Sequence, residues 1–242
     1  MRLTYIYHSG FAIEGENFTI IIDYYRDSDG ENDGIVHDSL LHRAGKLYVL
    51  STHSHSDHFN PEILKWKQHR PDIQYIFSRD ILEDRHVRFD GAVYLSPSEL
   101  YHDNTLCIQA FGSTDVGCSF LIEVAEKLIF HAGDLNNWHW KEESTMEESA
   151  EYEAAYLHEL EILARVTNRF DLVMFPIDPR LGREYMLGAE QFVCRFAVSC
   201  FAPMHFHDQY EKAAAFRSFA EKNGSLFIGW SFPGETVELP DY

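Results

Sequence analysis

The chain has 242 residues, 45% of them hydrophobic and 14% aromatic, and 20 basic against 39 acidic residues give a net charge of −19. These are the numbers of a globular protein, long enough to bury a sizeable core, and one domain over 1–242 is the simplest organisation. No stretch approaches the roughly 18 unbroken apolar residues of a membrane span, and the acidic excess repels nucleic acid and acidic membranes.

The N-terminal residues run straight into strand-like sequence without the apolar core of a secretory signal, and Cys107, Cys118, Cys194 and Cys200 are scattered with no Cys-x-x-Cys pair. Both features point to the reducing cytoplasm. In chain order, residues 3–7, 11–14 and 17–23 read as a meander of three strands, with Ile20, Ile21 and Ile22 as a buried β-branched run. His8 and Asp23 fall at strand ends, where each is either a site residue or a core or surface group. A polar connection over 24–45 follows, long enough to border a pocket. Its acidic spacing does not satisfy a calcium loop, because the position that requires Gly is Asn32.

Next comes Leu47 to Leu50, a short buried strand, and then His53-Ser54-His55-Ser56-Asp57-His58, three imidazoles and a carboxylate in six residues. Asn60-Pro61 supplies a helix cap and a first-turn proline, which predicts a helix over 61–69. Strand, ligand-rich loop and helix in that order make a metal-holding arrangement. Further on, a strand is expected at 73–77, a short helix opened by Ser78, strands near 92–95 and 104–110, and a hairpin of 117–124 with 127–131. The second half alternates a helix capped by Thr145 and Glu148, a strand at 171–175, a helix at about 188–199, a strand at 200–204, a helix at 209–222 and a strand at 225–230. On the first of these helices Tyr152, Tyr156, Leu160 and Leu163 share one face.

Two later strands end in metal-ligating residue types. Leu128 to His131 leads into Ala132-Gly133-Asp134, and Phe201-Ala202-Pro203-Met204 leads into His205, with His207 as its competitor. His53-x-His55-x-Asp57-His58 after a strand resembles the signature of the metallo-β-lactamase-fold hydrolases, and Gly133-Asp134 and Pro203-Met204-His205 resemble two further elements of that family. The resemblance implies an α/β fold, a four-layer αββα sandwich of the metallo-β-lactamase type. It implies one metal held by Asp57, His58 and His205, a second held by His53 and His55, and Asp134 bridging them.

The family's second metal normally takes another His from a loop that here reads Gly112-Ser113-Thr114-Asp115, with Ser113 in its place. Asp115 reaching in, water completing the shell, or a weak or empty site are the three outcomes. An oxygen ligand shifts preference from zinc, the first expectation, toward manganese or iron. One or two divalent ions are therefore expected, with Asp57 both ligating and orienting a hydroxide that attacks a small ester, lactone or phosphoester.

Trp138 and His139 beside Asp134 suggest a pocket wall or a core pair. Arg180 suggests an anion contact or a plain turn, and His8, Ser113 and His207 complete the candidates. The lactonase-like branch of the family offers the nearest pattern. A nucleic-acid phosphodiesterase and a non-catalytic metal sensor are the alternatives, the first opposed by the charge of −19. Oligomeric state has no signal in the sequence.

Overall fold

The structure, a computed structural model, describes residues 1–85 and 88–240. The chain divides into two compact units, Met1–Ser96 with Trp230–Tyr242, and Pro97–Gly229. Each unit holds one seven-stranded mixed sheet among its described residues.

In the first unit β1 (Arg2–Tyr7), β2 (Gly10–Glu14) and β3 (Phe18–Ile22) form the expected antiparallel meander. A short helix α1 (Ile35–Asp38) and a 3₁₀ turn follow within the polar connection. Then β4 (Lys46–Ser51), β5 (Gln74–Ser78), helix α2 (Arg79–Arg85) and β6 (Ala92–Leu95) extend the sheet with parallel pairing from β3 onward. Ile20, Ile21, Ile22, Tyr48, Val49 and Leu50 are all fully buried, the unbroken apolar pattern of strands covered on both faces. Register does the positioning: Ile22 pairs with Leu50, and Ser51 with Phe77. Asp23, Thr52 and the start of α2 therefore emerge together, at the carboxyl ends of parallel strands where α/β sheets place ligand sites.

The second unit repeats this logic. Strands β7 (Leu100–His102), β8 (Leu106–Phe111), β9 (Ser119–Val124) and β10 (Lys127–His131) are antiparallel neighbours. The β9–β10 connection is the two-residue turn Ala125-Glu126, both left-handed at φ 48° and 61°, as a tight hairpin requires. Helix α3 (Met146–Ala164) opens on a complete capping box, Glu148 N donating to Thr145 Oγ1 at 3.2 Å and Thr145 N to Glu148 Oε2 at 2.8 Å. Then β11 (Arg169–Pro176), α4 (Leu187–Arg195), β12 (Ala197–Met204), α5 (Tyr210–Ala214), α6 (Arg217–Lys222) and β13 (Leu226–Phe227) complete a parallel series from β10. Phenylalanines knit its core: Phe192 lies 4.9 Å from Phe175 and 4.8 Å from Phe196 between ring centroids. Each buried ring contributes about 1.5–3 kcal/mol by removal from water. The chain closes with β14 (Thr236–Glu238), which returns to the first unit and pairs with β1.

Several expected boundaries move. Pro61–Gln68 is a 3₁₀ helix, and Ile63 and Trp66 are buried three residues apart, a spacing that eclipses on a three-residue turn. The helix expected over 188–199 stops at Arg195 because Phe196 is extended and feeds β12. The 209–222 segment is two helices, the strand at 225–230 is only Leu226–Phe227, and β7 was not expected. On α3, Tyr156, Leu160 and Leu163 are buried as expected, whereas Tyr152 is 43% exposed. Among the described residues no helix is long and apolar enough to cross a membrane.

Candidate functional site

In the first unit the organiser is Asp23. It sits one residue past β3 in left-handed backbone, φ 50°, and is fully buried. Its Oδ1 accepts the Thr52 amide at 2.7 Å, and its Oδ2 accepts the Thr52 hydroxyl at 2.7 Å and faces His58 Nδ1 at 2.8 Å. Thr52 Oγ1 in turn lies 3.0 Å from His53 Nδ1. One carboxylate thus ties down both ends of the His-rich loop. A second carboxylate, Asp80 on α2, accepts the Ser54 amide at 2.8 Å between His53 and His55.

With Nδ1 of His58 held by Asp23, Nε2 is the nitrogen that carries the lone pair outward, the arrangement that fixes tautomer and ring orientation in metal-binding histidines. The His53 ring lies 4.0 Å from that of His58 and 4.7 Å from that of His55. His53 and His58 are fully buried while His55 is exposed. His8, also left-handed at φ 57°, places Nε2 3.3 Å from Asp57 Oδ2. Ligand atoms of His8, Asp57 and His58 all fall within 4.8 Å of one another, as do those of His53 and His55.

The second unit brings Asp134 and His205 together, His205 Nε2 lying 3.5 Å from Asp134 Oδ1. Gly133, φ 55°, makes the tight turn that delivers Asp134 from β10. His205 follows β12 in left-handed backbone, φ 61°, and its Nδ1 lies 3.0 Å from Asp178 Oδ2. Asp178 N-caps the turn after β11 and is gripped by Arg180, whose Nη2 reaches Oδ2 at 2.5 Å. Burial raises the Asp178 pKa, but hydrogen bonds from His205 and Arg180 overcome it and hold the carboxyl well below the usual carboxylate range.

The remaining candidates divide. Trp138 donates Nε1–H to the Asp134 carbonyl at 2.8 Å and lies edge-on to His205 with 5.8 Å between centroids. His207 is 5.9 Å from His205 ring to ring. His139 is a backbone tie, its Nδ1 accepting the Lys141 amide and its Nε2 meeting the Glu184 carbonyl at 3.1 Å. Arg180 is bound to Asp178 rather than standing apart as an anion contact. Ser113 and Asp115 sit on a turn where the Asp115 amide donates to Ser113 Oγ at 3.3 Å, and Asp115 is exposed. His102 lies exposed within β7.

Asp80 escaped the sequence reading because it acts on a backbone amide, and Thr52 because a lone hydroxyl before a His-rich run has no pattern of its own, although it joins Asp23 to His53. Asp23 and Asp178 carried one signal, a carboxylate directly following an apolar strand.

The donor set of imidazole nitrogens and carboxylate oxygens suits a divalent cation. Residues 2–151 match the family described as Beta-lactamase superfamily domain. A "UPF0173 metal-dependent hydrolase" of Desulforamulus reducens is 27% identical over 148 residues, covering 55% of this chain and 62% of that one, so the match spans less than two thirds of that relative. A protein of the same name from Pelotomaculum thermopropionicum is 22% identical across 99% of this chain and 100% of its own. Igni18, a metallo hydrolase from Ignicoccus hospitalis, superposes with a TM-score of 0.68 at 19% identity, over 98% of this chain and 97% of that one. The metallo-β-lactamase-fold protein YhfI from Bacillus subtilis gives 0.62 at 12% identity, over 98% and 99%. These likenesses show the expected fold.

Proposed function

The chain belongs to the beta-lactamase superfamily, and from that membership we propose that it is a metal-dependent hydrolase of a small ester, lactone or phosphoester. The observation that carries the reading is the pair of carboxylate-held imidazoles, His58 on Asp23 and His205 on Asp178, each with Nδ1 engaged at 2.8 and 3.0 Å. That pairing is how proteins prepare Nε2 for a metal. The proposed ligands are His53, His55, Asp57, His58, Asp134 and His205, for one or two divalent ions. Zinc is the first candidate, and manganese or iron follow if oxygen completes the shell.

A divalent cation in such a site lowers the pKa of bound water to about 7 and polarises the carbonyl or phosphoryl oxygen under attack. Asp57, 36% exposed and steadied by His8 Nε2 at 3.3 Å, orients the nucleophile and takes up its proton. Asp23 and Asp178 keep the His58 and His205 rings from rotating. Trp138, pinned to the Asp134 carbonyl, offers an apolar wall beside His205. A small-molecule substrate suits the acidic surface better than nucleic acid does, and the cytoplasm is the proposed compartment.

Elemental analysis of protein purified without added metal, followed by a panel of lactones, esters and phosphodiesters, tests this. Expected are stoichiometric metal, its loss in His53→Ala and Asp134→Ala, and turnover of at least one substrate class. Metal content untouched by both substitutions, together with no turnover by metal-loaded protein, would sink the proposal.

A further inference from the structure

We propose that Arg26 is the anion anchor of this site, and that the substrate carries a carboxylate or phosphate set apart from the bond that is cleaved. The inference rests on the hydrolase reading for what is cleaved, and on the first unit's geometry for what is bound.

Arg26 lies in the connection after β3, with Cζ 3.8 Å from the centroid of the Tyr7 ring. Its side chain is partly exposed, its Nε is buried, and among the described residues the guanidinium has neither a hydrogen bond nor an ion pair. The guanidinium carries its charge at every physiological pH, and in Arg26 that charge stands with a buried Nε against an aromatic face. The adjacent acid does not supply the missing partner. Asp27 accepts the amides of Ser28, Val36 and His37 at 2.7–3.0 Å, and its Oδ2 also faces His37 Nδ1 at 2.7 Å. Its charge is absorbed in holding the start of α1.

The anchor is also fixed in place. The Tyr24 carbonyl accepts the Asn60 amide at 3.1 Å, the Tyr25 carbonyl accepts Asn60 Nδ2 at 2.7 Å, and Asp27 N donates to Glu31 O at 3.4 Å. A guanidinium on so constrained a backbone, with Cζ held over an aromatic ring, loses little further freedom on binding an anion.

Its location connects it to the candidate ligands. Tyr7 lies 6.3 Å from His8 and 5.8 Å from Tyr25 between centroids, and Tyr25 lies 6.3 Å from His8. His8 is the residue beside Asp57. An oxyanion held by Arg26 would therefore sit across a short aromatic strip from the loop proposed to bind metal. A planar guanidinium fork matches carboxylate and phosphate oxygens two at a time.

The test uses metal-reconstituted wild type, Arg26→Gln and Arg26→Lys. Hydrolysis of mono-4-nitrophenyl glutarate is compared with that of neutral 4-nitrophenyl butyrate, and glutarate and inorganic phosphate are titrated calorimetrically. In Arg26→Gln the ratio of kcat/KM for the anionic to the neutral ester should fall about ten- to a hundredfold, as the loss of a charge-assisted contact implies. Anion affinity should fall in step, and Arg26→Lys should recover part of both. Whichever of glutarate and phosphate binds wild type more tightly identifies the anion. An unchanged ester ratio, or anion titrations alike in wild type and Arg26→Gln, overturns the proposal and leaves Arg26 a packing partner of Tyr7. If wild type hydrolyses neither ester, the hydrolase reading loses those substrates while the titrations still decide the role of Arg26.

Discussion

The first unit gathers its proposed metal ligands on one loop after β4, whereas the second takes its ligands and their aspartate support from three strand ends, after β10, β11 and β12. Each unit uses an aspartate to hold a histidine Nδ1, at 2.8 Å for Asp23 and 3.0 Å for Asp178. The surroundings differ. Asp23 is sealed in and also holds the Thr52 amide and hydroxyl, so it determines the course of a loop. Asp178 shares its charge with Arg180, whose side chain is 50% exposed, so it determines the angle of one ring. The same pair of residue types is a foundation in one unit and an adjustment in the other.

That contrast orders the expected effects. Asp23→Ala strands buried donors and should cost about 3–5 kcal/mol in urea denaturation, with metal content falling as well. Gly188→Ala tests whether packing does for the second unit's loop what Asp23 does for the first. A Cβ at 188 would stand 1.9 Å from Asn136 Oδ1 and 2.9 Å from the Asn137 amide, on the stretch that follows Asp134. About 1–3 kcal/mol of destabilisation is expected. Asp178→Ala frees a guanidinium that water can solvate, so about 1–2 kcal/mol is expected, with a tenfold or greater loss of metal affinity by competition with a chelator. A cost for Asp178→Ala equal to that of Asp23→Ala would erase the distinction between the two units.

The smallest effect lies away from both loops, at the start of α3. Hydrogen bonds from the Thr145 amide and hydroxyl hold the Glu148 carboxyl below its ordinary value of 4.5. A depressed carboxyl stabilises the fold above its unfolded pKa and loses that contribution as pH falls through the folded one. Glu148→Ala should therefore lower the melting temperature slightly at pH 7, with the difference from wild type closing as pH falls to where the folded-state carboxyl is fully protonated. A difference that persists at that pH would assign the effect to helix propensity instead of charge.

The contrast between the units also explains what the sequence could reveal. Six consecutive residues carry the first cluster, so His53, His55, Asp57 and His58 announce themselves. Asp134 and His205 are readable because each ends an apolar strand. Asp80 is silent because its task is to accept a backbone amide, and Thr52 because a single hydroxyl linking Asp23 to His53 looks like any loop residue. His139 looks like a pocket residue beside Trp138, yet it bonds the Lys141 and Glu184 backbone, a distinction that only three dimensions supply. The Asn60-Pro61 start fits an α-helix and a 3₁₀ helix equally, so cap chemistry located the element without choosing its pitch.

His8 and His205 both occupy left-handed backbone, at φ 57° and 61°. For a residue with a β-carbon that conformation costs on the order of 1–2 kcal/mol, a penalty glycine escapes. Random drift at these two positions therefore has a backbone incentive toward glycine, opposed by whatever the imidazoles do. A sibling sequence with glycine at both would be expected to keep the architecture and abandon the chemistry, which makes the pair a marker for separating working copies of this protein from relics.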